Sequence, residues 1–290
     1  MRRISVAAVL LACACGAAAE PPIDPLQELS IESRGARLGA TLYLPSSPGK
    51  HPAVVLVHGS GRTTAMEMGR NFAPRLNAMG FAVLAYDKRG VGRSTGEYTG
   101  IGPGNSVAMF DLLAGDALAA VESLRTRRDI DPDRVGLLGV SQGGWIAPLA
   151  ASRSGSVAFA ILISGPAVTV GEEIAYSRLA GADPGSRQGL SDDEIAREFA
   201  AFEGPHGYDP AAAIRAMRAP SLWIIGGHDR SIPVKETLAN LERIRNESGA
   251  PLTVHVIAGA DHGLRHAVTG EPQDFWSTIG AWLGARGIMR

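Results

Sequence analysis

Short apolar runs alternate with amphipathic stretches along most of the chain. Six of these runs are typical of strands buried on both faces of a parallel sheet, and the first of them is rich in β-branched residues. They occupy residues 53–57, 81–86, 135–140, 159–163, 222–225 and 254–257. Two further predicted strands, at residues 29–31 and 38–44, flank the dipeptide Arg34-Gly35. A short polar turn between two such runs favours a hairpin.

Patterns with helical periodicity fall between the strands. In residues 109–124, for example, Leu113, Ala117 and Leu124 recur on one face. The other predicted helices span residues 66–79, 143–151, 234–244 and 275–283. This regular alternation of strand and helix predicts an α/β fold, with a mostly parallel open sheet flanked by helices.

One segment, from residue 170 to about residue 217, interrupts the alternation. It is rich in charge and glycine, with weaker helical patterns at residues 171–179, 191–201 and 210–217. Its sequence Ser191-Asp192-Asp193-Glu194 is typical of a helix start, with a capping serine and an acidic first turn. An insertion of this length after a strand suggests a short helical cap over a site. The alternative is a surface decoration without a role.

The N-terminal segment has a different character. Two arginines at positions 2 and 3 precede an almost continuous apolar run at residues 4–14, and Ala17-Ala18-Ala19 offers a small-residue cleavage site. This pattern predicts a secretory signal peptide at residues 1–19, a tether at residues 20–28 and one domain at residues 29–290. We therefore expect an exported protein, periplasmic or secreted. A buried N-terminal helix is the alternative.

Both cysteines, Cys13 and Cys15, lie inside the predicted signal peptide. Cleavage after Ala19 would therefore leave an exported protein that relies on its core rather than on disulfides. The stretch Leu10-Leu11-Ala12-Cys13 also resembles a bacterial lipoprotein processing site. Lipidation at Cys13 is thus the alternative form of export, and a membrane contact is expected only in that form.

The composition of the 290 residues is that of an ordinary soluble domain, with 45% hydrophobic residues, 20% charged residues and a net charge of -1. A near-neutral chain gives no reason to expect nucleic acid as a partner, and no obligate protein partner is evident. We expect no cofactor and no metal. The glycine-rich turn at residues 87–94 matches neither nucleotide-binding spacing, and the zinc motif H-E-x-x-H is absent. We interpret this turn as a loop that lines the site, braced by Asp87 and Arg89.

The motif Gly139-Val140-Ser141-Gln142-Gly143 lies between a predicted strand and a predicted helix. A sharp turn between a strand and a helix is what a nucleophile elbow requires, because it lifts the serine hydroxyl clear of the sheet. The helix N-terminus at this point also favours negative charge. Ser141 is therefore the predicted nucleophile.

A serine hydroxyl needs a base, and in this arrangement the chain order is serine, acid, histidine. His262 follows the last predicted strand and Asp229 follows the one before it. Because the carboxyl ends of parallel strands meet at one edge of a sheet, we predict that His262 is the base and Asp229 its orienting acid. His266 is the competing base. Asp261 is the competing acid, ranked lower because adjacent side chains rarely face each other.

Acyl transfer also needs N–H donors directed at the developing oxyanion. The residue after the nucleophile supplies one, the backbone N–H of Gln142. The other is predicted to be the backbone N–H of Ser60, in the loop His58-Gly59-Ser60-Gly61 after the strand at residues 53–57. His58 is interpreted as a structural residue rather than as a second base.

Five motifs together resemble the bacterial α/β-hydrolase superfamily, over residues 38 to 283. They are HGSG at 58–61, YDKRGVGRSTG at 86–96, GVSQGG at 139–144, GGHDRSIP at 226–233 and GADHG at 259–263. The chain looks like the exported branch of esterases and of serine-aminopeptidase-like and dienelactone-hydrolase-like proteins. The resemblance implies the α/β-hydrolase fold. True dienelactone hydrolases use a cysteine nucleophile, whereas this chain has Ser141.

These observations lead us to expect a serine hydrolase that cleaves carboxylic esters of small molecules through an acyl-enzyme. Alternatives remain open. A small serine peptidase or amidase would need an anchor for an amine, such as Glu172, Glu173 or the acidic residues 192–194. A thioesterase, and a non-catalytic binding protein on a hydrolase scaffold, are the others.

Overall fold

The computed structural model describes residues 26–182 and 189–289. The predicted signal peptide with its two cysteines, and the first part of the predicted tether, lie outside the described residues. Within the two described ranges, no helix combines the length and the apolar character that a membrane span requires.

A single sheet runs through the centre of the described molecule. Its eight strands are β1 (Leu26–Ser33), β2 (Ala36–Tyr43), β3 (His51–Val57), β4 (Ala82–Tyr86), β5 (Ile130–Val140), β6 (Ala160–Ile163), β7 (Ser221–Gly226) and β8 (Leu252–Ile257). They lie in the order β1-β2-β4-β3-β5-β6-β7-β8. The pairs β1–β2 and β2–β4 are antiparallel, and the other neighbouring pairs are parallel. The predicted α/β fold with a mostly parallel sheet is confirmed.

The predicted hairpin between β1 and β2 is present. Arg34 and Gly35 form a two-residue turn in which both φ angles are positive, at 43° and 75°. This left-handed pair matches the twist of the two strands, and Ser33 pairs directly with Ala36 across the turn. The hairpin therefore sits at the edge of the sheet remote from β8.

Helices cover both faces of the sheet. They are α1 (Ala65–Ala78), α2 (Ser106–Arg125), α3 (Gly143–Arg153), α4 (Val170–Leu179), α5 (Asp192–Ala200), α6 (Ala211–Ala216), α7 (Val234–Ser248) and α8 (Trp276–Gly284). One hydrophobic layer joins the sheet to α2, α3, α6 and α7, and the other joins it to α1 and α8. In β3, Val55 and Val57 enter the first layer while Val54 and Leu56 enter the second. A strand buried on both faces needs no polar alternation, which explains its continuous apolar sequence.

Some element boundaries differ from the predicted ones. Strand β1 begins three residues earlier than predicted, so part of the predicted tether belongs to the sheet. Strand β5 begins at Ile130 rather than at residue 135, because Ile130 pairs with His51. The register then shifts before Ala53 pairs with Val135. Polar residues and a proline fill this irregularity, and their sequence is typical of a turn rather than of a strand.

The three helices predicted in the inserted segment are present, but they pack in two different places. Helices α4 and α5 contact each other, with the Tyr176 and Phe199 rings 5.5 Å apart. Helix α6 instead packs against α3 and α7, and its Ile214 is fully buried in the main core. The part of the insertion that is available to cover a site is therefore α4 and α5.

Candidate active site

Ser141 occupies a strained turn between β5 and α3. Its φ angle is 51°, in the left-handed region that costs a non-glycine residue about 1–3 kcal/mol. Its N–H donates to the carbonyl of Ile163 on the neighbouring strand, at 2.9 Å. A Cβ on Gly139 would lie 2.5 Å from the Gly143 oxygen, and one on Gly143 would lie 2.6 Å from the Val57 oxygen. Both positions therefore require glycine, and the turn has the form of the predicted elbow.

The three residues predicted as nucleophile, base and acid form one hydrogen-bonded chain. The distance from Nε2 of His262 to Oγ of Ser141 is 3.0 Å. The distance from Nδ1 of His262 to Oδ2 of Asp229 is 2.7 Å. A carboxylate only accepts, so Nδ1 carries the proton of the neutral ring and Nε2 is free to accept one from the serine.

Asp229 is fixed by its second oxygen. The side chain is buried beyond the end of β7, and Oδ1 accepts hydrogen bonds from the N–H groups of Ser231 and Ile232, at 2.7 and 3.1 Å. This leaves Oδ2 directed at the imidazole. The backbone donors fix the position of the carboxylate, so the acid can hold the ring in one orientation.

His262 lies in the loop after β8, and a serine on another strand end holds that loop. Oγ of Ser164 donates to the His262 carbonyl at 2.8 Å, while the Ser164 N–H donates to Ile224 on β7. Ser164 follows β6 and also has a positive φ angle, 51°. The sequence pattern had not singled out Ser164, because nothing in a lone serine after a strand distinguishes this role.

The pKa of His262 is raised above its ordinary value. Burial alone would lower it, but the hydrogen bond and the charge of Asp229 outweigh burial, and the charges of Glu173 and Asp261 add to the rise. The imidazolium that forms when the ring takes a proton is therefore stabilised where it stands.

The competing residues have other contacts. Oδ1 of Asp261 accepts the Arg265 N–H at 2.8 Å, closing a turn, so the structure pairs His262 with Asp229 instead. Nδ1 of His266 accepts from the N–H groups of Val268 and Thr269. Two other histidines after Ser141 in the chain, His206 and His255, contact threonine hydroxyls on other elements.

Ser60 and Gln142, the predicted oxyanion donors, line one cavity together with Ser141. Its volume is about 190 Å³. Among the hydrogen bonds of residues 26–182 and 189–289, neither the Ser60 N–H nor the Gln142 N–H donates to a protein acceptor. Both donors are therefore available to an oxygen bound beside Ser141.

The cap contributes to the same cavity through α4. Val170, Glu173 and Ile174 line it, and so do Trp145 and Ile232 from other elements. Glu173 was one of five acidic candidates in the sequence for an amine anchor, and it is the one that the fold places here. Glu172 instead caps its own helix by accepting from Thr169.

The glycine-rich turn after β4 is braced as predicted. Asp87 accepts from the N–H groups of Ala65 and Arg93, at 2.6 and 2.8 Å. Arg89 makes a two-point contact with Asp116 on α2, with distances of 3.0 and 2.5 Å. The residue between them, Lys88, received no role from the sequence, yet its side chain is fully buried beneath the Ser60 loop.

His58 serves the sheet rather than the reaction. Its Nε2 donates to the Tyr86 carbonyl, and its ring packs edge-on against the Tyr86 ring at 4.5 Å. Burial, together with the charge of Lys88, lowers the pKa of His58 to about 3. The ring is therefore neutral at all ordinary pH values and ties the ends of β3 and β4 together.

Comparison with known proteins agrees with this geometry. The sequence model of the family described as serine aminopeptidase, S33, matches residues 49–184. The model of the family described as BAAT / acyl-CoA thioester hydrolase C terminal matches residues 119–263, half of the chain. The two matches together include the Ser60 loop, the Ser141 elbow, Asp229 and His262.

Similar proteins were found by sequence and by structure. An uncharacterised protein of Mycobacterium tuberculosis is 29% identical over 240 residues, which cover 81% of this chain and 72% of that protein. Esterase EstD of Thermotoga maritima is 27% identical over 257 residues, 80% of this chain and 60% of EstD. The solved Pyrococcus furiosus esterase Pf2001 superposes with a TM-score of 0.68 at 20% identity, over 90% of this chain and 91% of that structure. At that identity the likeness shows the fold.

The sheet order, the elbow and the cavity at the carboxyl ends of the strands define an enzyme of the hydrolase class. The two family matches carry the same conclusion. The chain belongs to the α/β-hydrolase superfamily and is a hydrolase.

Proposed function

We propose that this protein is a serine hydrolase that cleaves small carboxylic esters through an acyl-enzyme intermediate. One observation carries the proposal. Asp229, His262 and Ser141 form an unbroken hydrogen-bonded chain that ends in a cavity lined also by Ser60 and Gln142. A positioned base, an oriented ring and an oxyanion site are the three parts that acyl transfer requires.

The first half of the reaction acylates the serine. Nε2 of His262 takes the hydroxyl proton while Oγ of Ser141 bonds to the ester carbonyl carbon. The carbonyl oxygen becomes an oxyanion and accepts from the N–H groups of Ser60 and Gln142. The carbon–oxygen bond to the alcohol then breaks, and the alcohol leaves with the proton that His262 returns.

The second half releases the acid. Water enters beside the acyl group and gives a proton to Nε2 of His262, while its oxygen bonds to the acyl carbon. The bond to Oγ breaks, Ser141 recovers its proton, and a carboxylic acid leaves. Asp229 does not exchange a proton with the substrate, since its role is to hold the ring and stabilise its charged form.

The size and lining of the cavity favour a short acyl group. Its volume of about 190 Å³ is below the roughly 300–1,000 Å³ of sites for drug-sized ligands. Trp145, Ile174 and Ile232 contribute apolar side chains to its walls. We therefore expect acetate and butyrate esters to be better substrates than esters of long fatty acids.

A series of p-nitrophenyl esters from acetate to palmitate tests the proposal, with fluorophosphonate labelling in parallel. The wild-type protein should hydrolyse the short esters and be labelled, and Ser141→Ala should lose labelling and at least about 10⁴-fold in kcat. Ser152→Ala is the matched control, since this serine lies on α3 and its hydroxyl donates to the Leu149 carbonyl of the same helix. Turnover by Ser141→Ala at the wild-type rate would refute the assignment. An unlabelled wild-type protein would favour a non-catalytic binding role.

An amidase or aminopeptidase activity is the second candidate, and Glu173 favours it. Its carboxylate lines the cavity and acts on the pKa of His262, so it is placed to attract a substrate amine. The match to the serine aminopeptidase family supports the same activity. The match to acyl-CoA thioester hydrolases supports a thioesterase in turn, which acyl-thioesters added to the series would detect.

Aminoacyl anilides separate the two main candidates. If Glu173 anchors an amine, Glu173→Gln should raise KM for an aminoacyl anilide about tenfold or more and leave short neutral esters within about threefold. Glu203→Gln, exposed in the same inserted segment, is the matched control. If the wild-type protein cleaves esters but no anilide, the amidase or aminopeptidase proposal is rejected and the esterase proposal stands.

A further inference from the structure

Lys88 is a lysine whose side chain is completely buried. Lysine is rarely buried unless a charged partner compensates it, because taking an ammonium out of water is costly. Its Nζ donates to the carbonyl oxygens of Gly59 and Gly61, at 2.5 and 2.8 Å, and lies 3.4 Å from Oε1 of Gln142. The Tyr98 ring lies under the ammonium at 4.5 Å. Each of these partners is neutral, so none of these contacts is an ion pair.

The two carbonyls that Lys88 holds enclose Ser60. In a planar trans peptide the C=O and the N–H point in opposite directions. The Gly59 carbonyl and the Ser60 N–H belong to the same peptide unit, so the bond from Nζ to Gly59 fixes the direction of that N–H. The ammonium holds the carbonyl from behind the loop, and the N–H is directed away from Lys88.

The second oxyanion donor is tied to the same ammonium. Gln142 supplies the other N–H, and its side-chain oxygen faces Nζ. Both segments that form the oxyanion hole therefore meet on one buried charge. The Ser60 loop needs such support, because Ser60 and Gly61 are exposed to solvent on their outer side. A peptide unit free to rotate would present its carbonyl to the oxyanion for part of the time.

We propose that Lys88 is a positioning residue that holds the oxyanion hole in its productive conformation by fixing the Gly59 and Gly61 carbonyls. It acts through the loop and does not touch the substrate. This inference rests on the proposed serine-hydrolase function, since an oxyanion hole matters only if a tetrahedral intermediate forms.

The charge of Lys88 is sensitive to pH. Burial lowers the pKa of Lys88 to about 8, so the ammonium loses its charge and one of its three donors in mildly alkaline solution. The kcat of the wild-type enzyme should therefore fall as the pH rises through about 8 to 9.

The two titratable rings beside the ammonium, those of His58 and Tyr98, stay uncharged in this range. His58, at the end of β3, stays neutral because its pKa is lowered to about 3. Burial raises the pKa of Tyr98, which stays uncharged. Asp87, the neighbour of Lys88 along the chain, accepts from the Arg93 guanidinium at 3.1 Å.

Two substitutions test the proposal, with Lys50→Met at an exposed lysine as the matched control. Lys88→Met removes the charge and the donors. It should lower kcat about 10- to 100-fold, since losing one oxyanion donor outright costs about 10²–10³-fold. The KM for a short ester should stay within about threefold. The affinity for a trifluoromethyl ketone, which forms a tetrahedral adduct with the serine, should fall in the same proportion as kcat/KM.

The second substitution, Lys88→Arg, keeps a side chain that stays charged throughout the measured pH range. The fall in kcat at alkaline pH should therefore disappear in this variant.

A merely structural lysine would change the melting temperature without this selective loss. The proposal is overturned if folded Lys88→Met keeps kcat and ketone affinity within twofold, or if Lys88→Arg retains the alkaline fall. Should neither variant fold, the wild-type profile decides, and a kcat that stays flat from pH 7.5 to 9.5 overturns it. Fluorophosphonate labelling of the wild type separates this outcome from failure of the proposed function. A labelled wild type with unaffected Lys88 variants rejects only the role of Lys88.

Discussion

The two oxygens of Asp229 have different tasks, and one substitution separates them. In Asp229→Asn the remaining side-chain oxygen can still accept from Ser231 and Ile232, so the loop should keep its conformation. The amide that then faces Nδ1 carries no charge and favours the wrong tautomer of His262. We expect kcat to fall about 10³- to 10⁴-fold, with KM and melting temperature nearly unchanged.

The neighbouring carboxylate is the control for this experiment. Asp261 lies beside His262 in sequence but accepts from Arg265. Asp261→Asn should change kcat by less than about threefold. If both substitutions had equal effects, His262 would not depend on Asp229 in the way that the distances indicate.

The pH dependence of activity should follow His262. The base must be neutral to take the serine proton, so activity is lost as the pH falls through its pKa and present above it. Because Asp229 raises that pKa, the midpoint of the acidic limb should lie above about 6.5, the ordinary value for histidine. In Asp229→Asn the residual activity should show this midpoint at lower pH, since burial then acts without the opposing carboxylate. Profiles of kcat/KM from pH 5 to 8 measure the midpoint in the wild type and in Asp229→Asn. Coincident midpoints would contradict the inference that Asp229 raises the pKa of His262.

At the residue scale, the sequence located residues that the fold brings together where a residue type and its place on a strand end both carried information. Ser141, Asp229 and His262 were predicted and are brought together. Lys88 and Ser164 were missed for a physical reason. A lysine in a polar turn is usually solvated, and a serine after a strand is usually a turn residue, so only the packing shows what each one holds.

Among the elements, the turn after β4 and helix α2 are joined by a buried ion pair. Arg89 and Asp116 are almost entirely excluded from solvent, and Ser33 adds a third contact from β1. Breaking such a pair from one side leaves an unpaired buried charge. Asp116→Ala should therefore lower the free energy of unfolding by about 3–5 kcal/mol, measured by urea denaturation.

An exposed ion pair on the same helix provides the comparison. Asp111 pairs with Arg34 and Arg153 at the surface, and its side chain is 46% exposed. Asp111→Ala should cost less than about 1 kcal/mol, because exposed pairs contribute little. Equal losses in the two variants would show that burial does not decide the energetics here.

Element prediction worked best where both faces of a strand are buried. The continuous apolar runs of β3 and β4 have no competing interpretation, and the fold follows from their alternation with helices. The prediction was less accurate where local sequence and tertiary pairing disagree. The first residues of β5 contain a proline between two aspartates, and only the pairing of Ile130 with His51 makes them part of the strand. The packing of α6 on the core, rather than over the site, is likewise a tertiary outcome.

At the scale of the whole molecule, the sequence of the N-terminal segment predicts where the protein is located. We propose that residues 1–19 are removed during export and that the mature protein begins at Glu20. Intact mass and N-terminal sequencing of the periplasmic or secreted fraction measure this directly. Incorporation of labelled palmitate that Cys13→Ser abolishes would instead establish the lipoprotein form. A full-length protein retained in the cytosol would contradict both.

The residues that line the cavity come from two different parts of the fold. Its reacting groups stand on loops of the sheet, whereas Val170, Glu173 and Ile174 arrive from helix α4, which holds no member of the hydrogen-bonded chain. Because these two groups of residues come from different parts of the fold, helix α4 could be exchanged without changing the hydrogen-bonded chain. Replacing this helix with the corresponding helix of a relative could change substrate selectivity while Ser141, His262 and Asp229 stay in place. Substrate range in such proteins can therefore diverge through the inserted helices alone.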